Sequence, residues 1–318
     1  MITTDLNKAK KALDQNNIIA IPTETVYGLA GNAFNEEAVK KIFALKNRPF
    51  YNPLIVHIKS AKYLTEVARD IPAIAFTLAN EFWPGPLTLV LKKQPKVSNL
   101  VTSGKDTVAV RVPNHPITLE LLKALDYPLA APSANPFGSI SPTSAQHVEN
   151  YFEDELDIIL DGGACERGIE STIIGFEGDQ PIVYRLGSLS MEQIEAKIGN
   201  VLTQTHSEDQ QPSAPGMLSR HYAPTTDTYL TDDVEKLIKF YPNKKIGLLL
   251  FQNEIESPVA HQEILSKSGN LEEAAKNLYA AMHRLDKLHL DIIIAQKLPN
   301  IGLGKTMNDK LERATKKS

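Results

Sequence analysis

Lys46 and Arg48 stand two residues apart in Lys46-Asn47-Arg48-Pro49, where the pattern predicts that a helix ends and a loop begins. Two cations at a helix C-terminus suit the macrodipole and need be no more than a solvated cap. Here Pro49 and Pro53 fix the backbone around them, and Asn52 and His57 follow closely. Small hydroxyls and further cations recur where other apolar runs end: Thr107 and Arg111, Ser133, Ser141, Arg185. Guanidinium, ammonium and hydroxyl donors gathered in this way suit a polyphosphate. Glu24, between Thr23 and Thr25, reads as a base or as a turn cap. His57 lies inside an apolar strand, where a histidine is commonly a satisfied core residue; no other histidine stands at metal-ligand spacing from it. No Ser-His-Asp or Cys-His arrangement is visible, and Cys165 in its Gly- and Glu-containing loop reads as incidental. Gly302-Leu303-Gly304-Lys305-Thr306 resembles the end of a phosphate loop, but Pro299 occupies the position where that pattern needs glycine.

The elements that must carry these groups are short and apolar. Residues 18–21 form an apolar run closed by Pro22, as a buried strand would. After Thr23, Glu24 and Thr25 comes Tyr27-Gly28-Leu29-Ala30-Gly31, read as a turn whose two glycines permit close backbone approach. Asn35 is a good N-cap for a helix that buries Val39, Ile42 and Phe43. Residues 54–58 form a second strand. Strands follow at 87–91, 107–112, 129–131 and 158–160, with a strand pair at 171–174 and 182–185. Helices are expected at 61–69, 71–80, 117–125, 144–148 and 191–198. The polar residues thus collect at the ends of apolar elements, where α/β proteins place their chemistry. Residues 201–225 lose the apolar period and read as an ordered linker, unusual in carrying Arg220, His221 and Tyr222. Beyond it, strands at 245–251 and 291–294 alternate with helices at 271–285 and 308–313, the pattern of a small parallel-sheet domain.

At 318 residues the chain can hold two cores, and 42% hydrophobic with 23% charged residues is ordinary for a globular protein. A net charge of -4 argues against a general nucleic-acid coat while allowing a local basic site. One cysteine excludes a disulfide framework and a cysteine-built zinc site. No apolar run is long enough to span a bilayer, and the N-terminus reads as a helix burying Leu6, Ala9 and Leu13. A reducing, cytoplasmic setting is expected.

The segments PTETVYGL, KNRP, NPL, APSAN, GIEST and YRLG, with SAPGM and HYAP in the linker, together resemble the threonylcarbamoyl-AMP synthase family in its long form. The resemblance implies an α/β fold: a YrdC-like twisted mixed sheet with flanking helices at 1–200, an ordered linker or lid at 201–225, and a small Rossmann-like domain at 226–318. It implies formation of L-threonylcarbamoyladenylate and pyrophosphate from L-threonine, bicarbonate or CO2 and ATP, a nucleotidyl transfer that precedes threonylcarbamoyl modification of tRNA. The family's paired signatures fall on Lys46 with Arg48 and on Ser133 with Asn135, the expected catalytic residues. The threonine site would use Thr25, His57, Arg111, the backbone at Ala131, and Ser171. The ATP site would use Arg48, Asn52, Thr107, Ser133, Ser141 and Arg185, with Tyr222 closing over the nucleotide. Magnesium would ride on ATP with no dedicated protein ligands. A downstream tRNA threonylcarbamoyl transferase complex is the implied partner, and no membrane is involved. Three other functions fit the sequence less well: a tRNA or double-stranded-RNA-binding module without chemistry, disfavoured by the charge; a carbamoyl transfer enzyme of the hydrogenase-maturation type, which needs zinc-binding cysteines; and a nucleotide hydrolase centred on Lys305, which Pro299 argues against.

Overall fold

The structure is a computed structural model, described for residues 1–205, 212, 214–217 and 221–315. Leu218, Ser219 and Arg220 of the linker fall outside the described residues. Eleven strands make one large sheet: β1 (Ile2–Thr3), β2 (Ile19–Ile21), β3 (Gly28–Asn32), β4 (Ile55–His57), β5 (Leu87–Lys92), β6 (Thr107–Arg111), β7 (Leu129–Ala130), β8 (Ile159–Leu160), β9 (Thr172–Glu177), β10 (Gln180–Arg185) and β11 (Leu202–Thr203). Their spatial order is β1-β8-β2-β3-β7-β4-β6-β5-β9-β10-β11. Pairing is mixed: β4–β6 and β5–β9 run parallel, while β2–β3, β3–β7, β5–β6 and β9–β10 run antiparallel. Edge strand β11 lies within the stretch expected as linker and pairs in parallel with Ile182 and Val183.

The segment read as a turn from its glycines is mostly strand β3. Neither Gly28 nor Gly31 has a left-handed backbone. Their missing side chains serve layer packing instead. A Cβ on Gly31 would lie 3.1 Å from Ile18 Cγ2 and 3.3 Å from Ile42 Cδ1, and one on Gly28 would lie 3.3 Å from Ala131 Cβ. The helix Glu36–Lys46 packs there, started by Asn35, whose side chain accepts from Ala38 N. It stops at Asn47, which takes the left-handed conformation at φ 50°.

Four parallel strands make the second sheet: β12 (Thr228–Thr231), β13 (Ile246–Leu250), β14 (His261–Ile264) and β15 (Ile292–Gln296), in the order β12-β15-β13-β14. Helices Leu271–Asp286 and Leu303–Thr315 connect this sheet to the larger one. Val26, Ile140, Ile169 and Tyr222 join Tyr279, Met282, Met307 and Leu311 in one buried apolar cluster across the two units. Each such side chain contributes about 1.5–3 kcal/mol on burial, so the seam is a core and not a chance contact. Gly168 allows a close approach there: at φ +70°, a Cβ would sit 2.2 Å from Lys276 O.

Candidate active site

One cleft gathers the ends of several strands. The loop after β2 supplies Thr23, Thr25 and Val26; β4 and β6 end in His57 and Arg111, which are register partners. The loop after β7 brings Ala131, Pro132 and Ser133. Glu170 and Ser171 precede β9, Arg185 ends β10, and the linker adds Gly216, His221 and Tyr222. Of the residues expected in the site, Thr25, Arg48, His57, Arg111, Ala131, Ser133, Ser171, Arg185 and Tyr222 line this cleft.

Lys46, Asn52, Thr107, Asn135 and Ser141 stand outside the lining. Lys46 is in the last helical turn, where the sequence placed the end of the helix, but it is buried, only 1% exposed. Its Nζ donates to Ser133 O at 2.5 Å and to Asn135 O, so it clamps the Ser133–Asn135 turn from behind. Asn52 orients Arg48: its Oδ1 accepts from Arg48 Nη2 at 2.8 Å and its carbonyl from Nε at 3.1 Å. Asn135 ties its own loop by donating to Pro136 O and Ser139 O. Ser141 faces the domain seam, donating to Glu170 Oε1 at 2.6 Å while its carbonyl meets His283 Nε2 at 3.2 Å. Thr107 begins β6 and Arg111 ends it, which separates them by about 13 Å along an extended strand.

At one end of the cleft the Arg111 guanidinium is held in place by three contacts. Arg111 donates from Nε to Gly85 O at 3.1 Å and from Nη1 to Thr25 Oγ1 at 2.9 Å, and pairs through Nη2 with Glu24 Oε1 at 2.6 Å. These contacts leave each terminal nitrogen a further N–H for a ligand carboxylate. Glu24 also accepts from Asn114 N at 2.9 Å, so it is the counter-ion of Arg111 and is not free to act as a base. Burial, and then Arg111, pull the His57 imidazole down to about 3, so it is neutral at physiological pH.

At the other end Arg48 and Arg185 stand close enough to repel. Burial, and then Arg185, pull Arg48 down to about 9, which still leaves it charged at neutral pH. Arg185 donates from Nη2 to Ser171 O at 2.8 Å and to Ser171 Oγ at 3.0 Å. Ser171 Oγ also bonds Thr88 Oγ1 at 2.7 Å. Tyr222, held at φ 66° and 1% exposed, closes this end with His221 packed edge-on at 4.1 Å. The arrangement places the Arg111 guanidinium, a neutral imidazole and the Arg48 and Arg185 guanidiniums in one cleft.

Sequence reasoning left Glu170 and Lys310 without a role. Glu170 lines the cleft and bonds Ser141, Tyr279 and Lys310. Burial raises its carboxyl, but Lys310, Arg185 and Ser141 outweigh that and hold it below the ordinary carboxylate range. Glu170 lies within the GIEST segment, where Ser171 drew the attention, and Lys310 stands in no motif; only the fold brings the two together. Lys305, the cation of the phosphate-loop lookalike, instead pairs with Glu192 at 3.0 Å, and Thr306 donates to Gly187 O at 3.1 Å.

Residues 11–187 match a family model described as telomere recombination, and residues 189–315 match one described as threonylcarbamoyl-AMP synthase, C-terminal domain. The threonylcarbamoyl-AMP synthase of Pyrococcus abyssi is 40% identical over 95% of this chain and 91% of its own length. That of Bacillus subtilis is 39% identical, over 96% and 92%. The crystal structure of P. abyssi Sua5 complexed with L-threonine aligns with a TM-score of 0.92 at 39% identity, covering 98% of this chain and 94% of that one. With both units matched in their order, and relatives aligned nearly end to end, this chain belongs to the threonylcarbamoyl-AMP synthase family in its two-domain form.

Proposed function

We propose that the cleft joins L-threonine, bicarbonate or CO2 and ATP into L-threonylcarbamoyladenylate and pyrophosphate. The observation that carries this reading is the pairing, within one buried cleft, of the Arg111 carboxylate holder with the Arg48 and Arg185 cations. The threonine amine adds CO2 and loses a proton to give a carbamate. A carbamate oxygen then attacks the α-phosphorus, the bond from the α-phosphorus to the bridging oxygen breaks, and pyrophosphate leaves. Arg111 would hold the threonine carboxylate, with Thr25 alongside. His57, being neutral, offers threonine a hydrogen bond without adding charge. Arg48 and Arg185 would stabilise charge developing on the phosphates, and Ser133, set by Lys46, faces the reacting groups. Positioning and electrostatics do the work, with no covalent enzyme intermediate.

Magnesium belongs to the nucleotide in this scheme. Glu170, in the lining, is committed to Lys310, and Glu24, behind it, to Arg111. Phosphate oxygens and water would therefore supply its ligands. The product is a mixed anhydride and hydrolyses in water, which suits a closed cleft and a rapid consumer. A tRNA threonylcarbamoyl transferase is that consumer in this reading, and the cytoplasm its setting. Among the described residues no helix is long and apolar enough to cross a membrane.

The deciding measurement is pyrophosphate release from ATP and magnesium, with threonine and bicarbonate omitted in turn. Release is expected only when both are present. Release without threonine would make the protein a nucleotide hydrolase, and tRNA binding without release would make it an RNA-binding module.

A further inference from the structure

The C-terminal domain reaches into the wall of the cleft. Lys310, on helix Leu303–Thr315, is 1% exposed. Its Nζ donates to Leu186 O at 2.9 Å and to the Tyr222 hydroxyl at 3.3 Å, and stands 3.7 Å from Glu170 Oε2. The same ammonium lies 4.7 Å from the centroid of the Tyr222 ring. Tyr279, on helix Leu271–Asp286, donates to Glu170 Oε2 at 2.9 Å, and its ring stacks on Tyr222 at 5.7 Å. Ser141 occupies the other oxygen of Glu170. The residue after Glu170 is Ser171, which grips Arg185.

A carboxylate in the wall of a polyphosphate site needs a reason not to take that site's cations for itself. Without a counter-ion of its own, buried Glu170 would turn to the nearby guanidiniums and oppose the phosphates. Lys310 supplies that counter-ion from the other domain. It also holds Tyr222 twice, by a hydrogen bond to the hydroxyl and by a cation–π contact with the ring. We propose that Lys310 is a positioning residue for the nucleotide: it neutralises Glu170 and fixes Tyr222, so that Arg185 and Arg48 keep their charge for the triphosphate. This rests on the reading of the cleft as an ATP site, and the test therefore measures binding apart from turnover.

Full-length wild type, Lys310→Met, Glu170→Gln and the double variant are titrated calorimetrically with ATP and magnesium in the absence of threonine, then separately with threonine. Lys310→Met is expected to weaken ATP binding at least about tenfold. Threonine affinity should stay within about twofold, because the residues that Lys310 contacts are not those that hold Arg111. Adding Glu170→Gln to Lys310→Met should recover most of the loss, since the competing charge is gone. Glu170→Gln alone should bind ATP no more weakly than wild type. A purely structural role gives the opposite signature: the two losses add, and both ligands suffer alike. Unchanged ATP affinity in Lys310→Met, or a double variant weaker than Lys310→Met, overturns the proposal. Should Lys310→Met fail to fold, weaker ATP binding by Glu170→Gln overturns it. If wild type binds ATP but releases pyrophosphate without threonine, the reaction is wrong while Lys310 is still judged. A wild type that binds no ATP ends both.

Discussion

Lys46 and Arg48 share a motif but touch different things, and substitution should separate them. Arg48 reaches the cleft, held there by Asn52 and Pro53. Its replacement by alanine removes a cation from the reacting end, and activity is expected to fall by about 100-fold or more. Lys46 never reaches the lining; it clamps two carbonyls of the Ser133 turn. Lys46→Ala orphans those buried acceptors and opens a void, costing about 2–5 kcal/mol of stability along with activity. Thermal unfolding measured beside pyrophosphate release distinguishes the two. An inactive Lys46→Ala that melts with wild type would mean that the ammonium acts on substrate directly. The motif thus made both residues legible in the sequence, while their division of labour depends on where Ser133 and Asn135 lie after folding.

The linker shows which element-level features a sequence carries and which it hides. Its aromatic and basic residues set it apart from a plain spacer, and Tyr222 is among the residues that line the cleft. What the sequence could not show is how tightly the backbone approaches Arg185. A Cβ on Gly216, at φ +81°, would lie 2.8 Å from Arg185 Cδ and 3.2 Å from the Tyr222 hydroxyl. Gly216→Ala therefore strains the backbone and pushes on both side chains. Its expected effect is about a tenfold or greater loss of kcat/KM for ATP, because a misplaced charge near the reacting atoms is costly. Steady-state kinetics with ATP varied would check this, and a kcat/KM equal to wild type would show that the linker moves aside freely. Elsewhere the short apolar runs at β2, β4 and β6 were readable because β2 and β4 are buried throughout, β6 is buried after Thr107, and each is closed by a breaker or charge. Strand β3 was not, because glycines that serve packing look like glycines that serve turning. Strand β14, His-Gln-Glu-Ile, was missed because no residue in it is buried and it carries no apolar signal.

For the whole molecule, the buried histidines set the response to acid. Burial pulls His57 and His147 down to about 3 and His283 down to about 4. Repulsion adds to this: Arg111 for His57, and His283 with Lys287 and Arg284 for His147. At His283, the Ser141 carbonyl and Asp286 partly restore what burial and Lys287 take away. An ordinary histidine titrates near 6.5, so below that pH the unfolded chain binds protons that the folded chain refuses. Each group therefore leaves stability intact above pH 6.5 and removes up to about 1.4 kcal/mol per unit as the pH falls toward its folded value. The losses accumulate as the pH falls, with partly exposed His147 contributing less. Carboxylates held below their ordinary range, such as Glu170, lose their contribution only at lower pH. Acid unfolding should thus begin between pH 6 and 5, earlier than carboxylates alone would allow. Two of the three histidines, His147 and His283, stack at 3.9 Å across the seam between the domains. Protonating either ring places a charge in that seam, so the two domains should lose their packing together there. Urea unfolding at pH 7.5, 6.0 and 5.0 would show the slope, and His147→Phe, which keeps a ring against His283, should make it shallower. A wild type equally stable at all three pH values, or an unaltered slope in His147→Phe, would show that the seam admits the proton without cost.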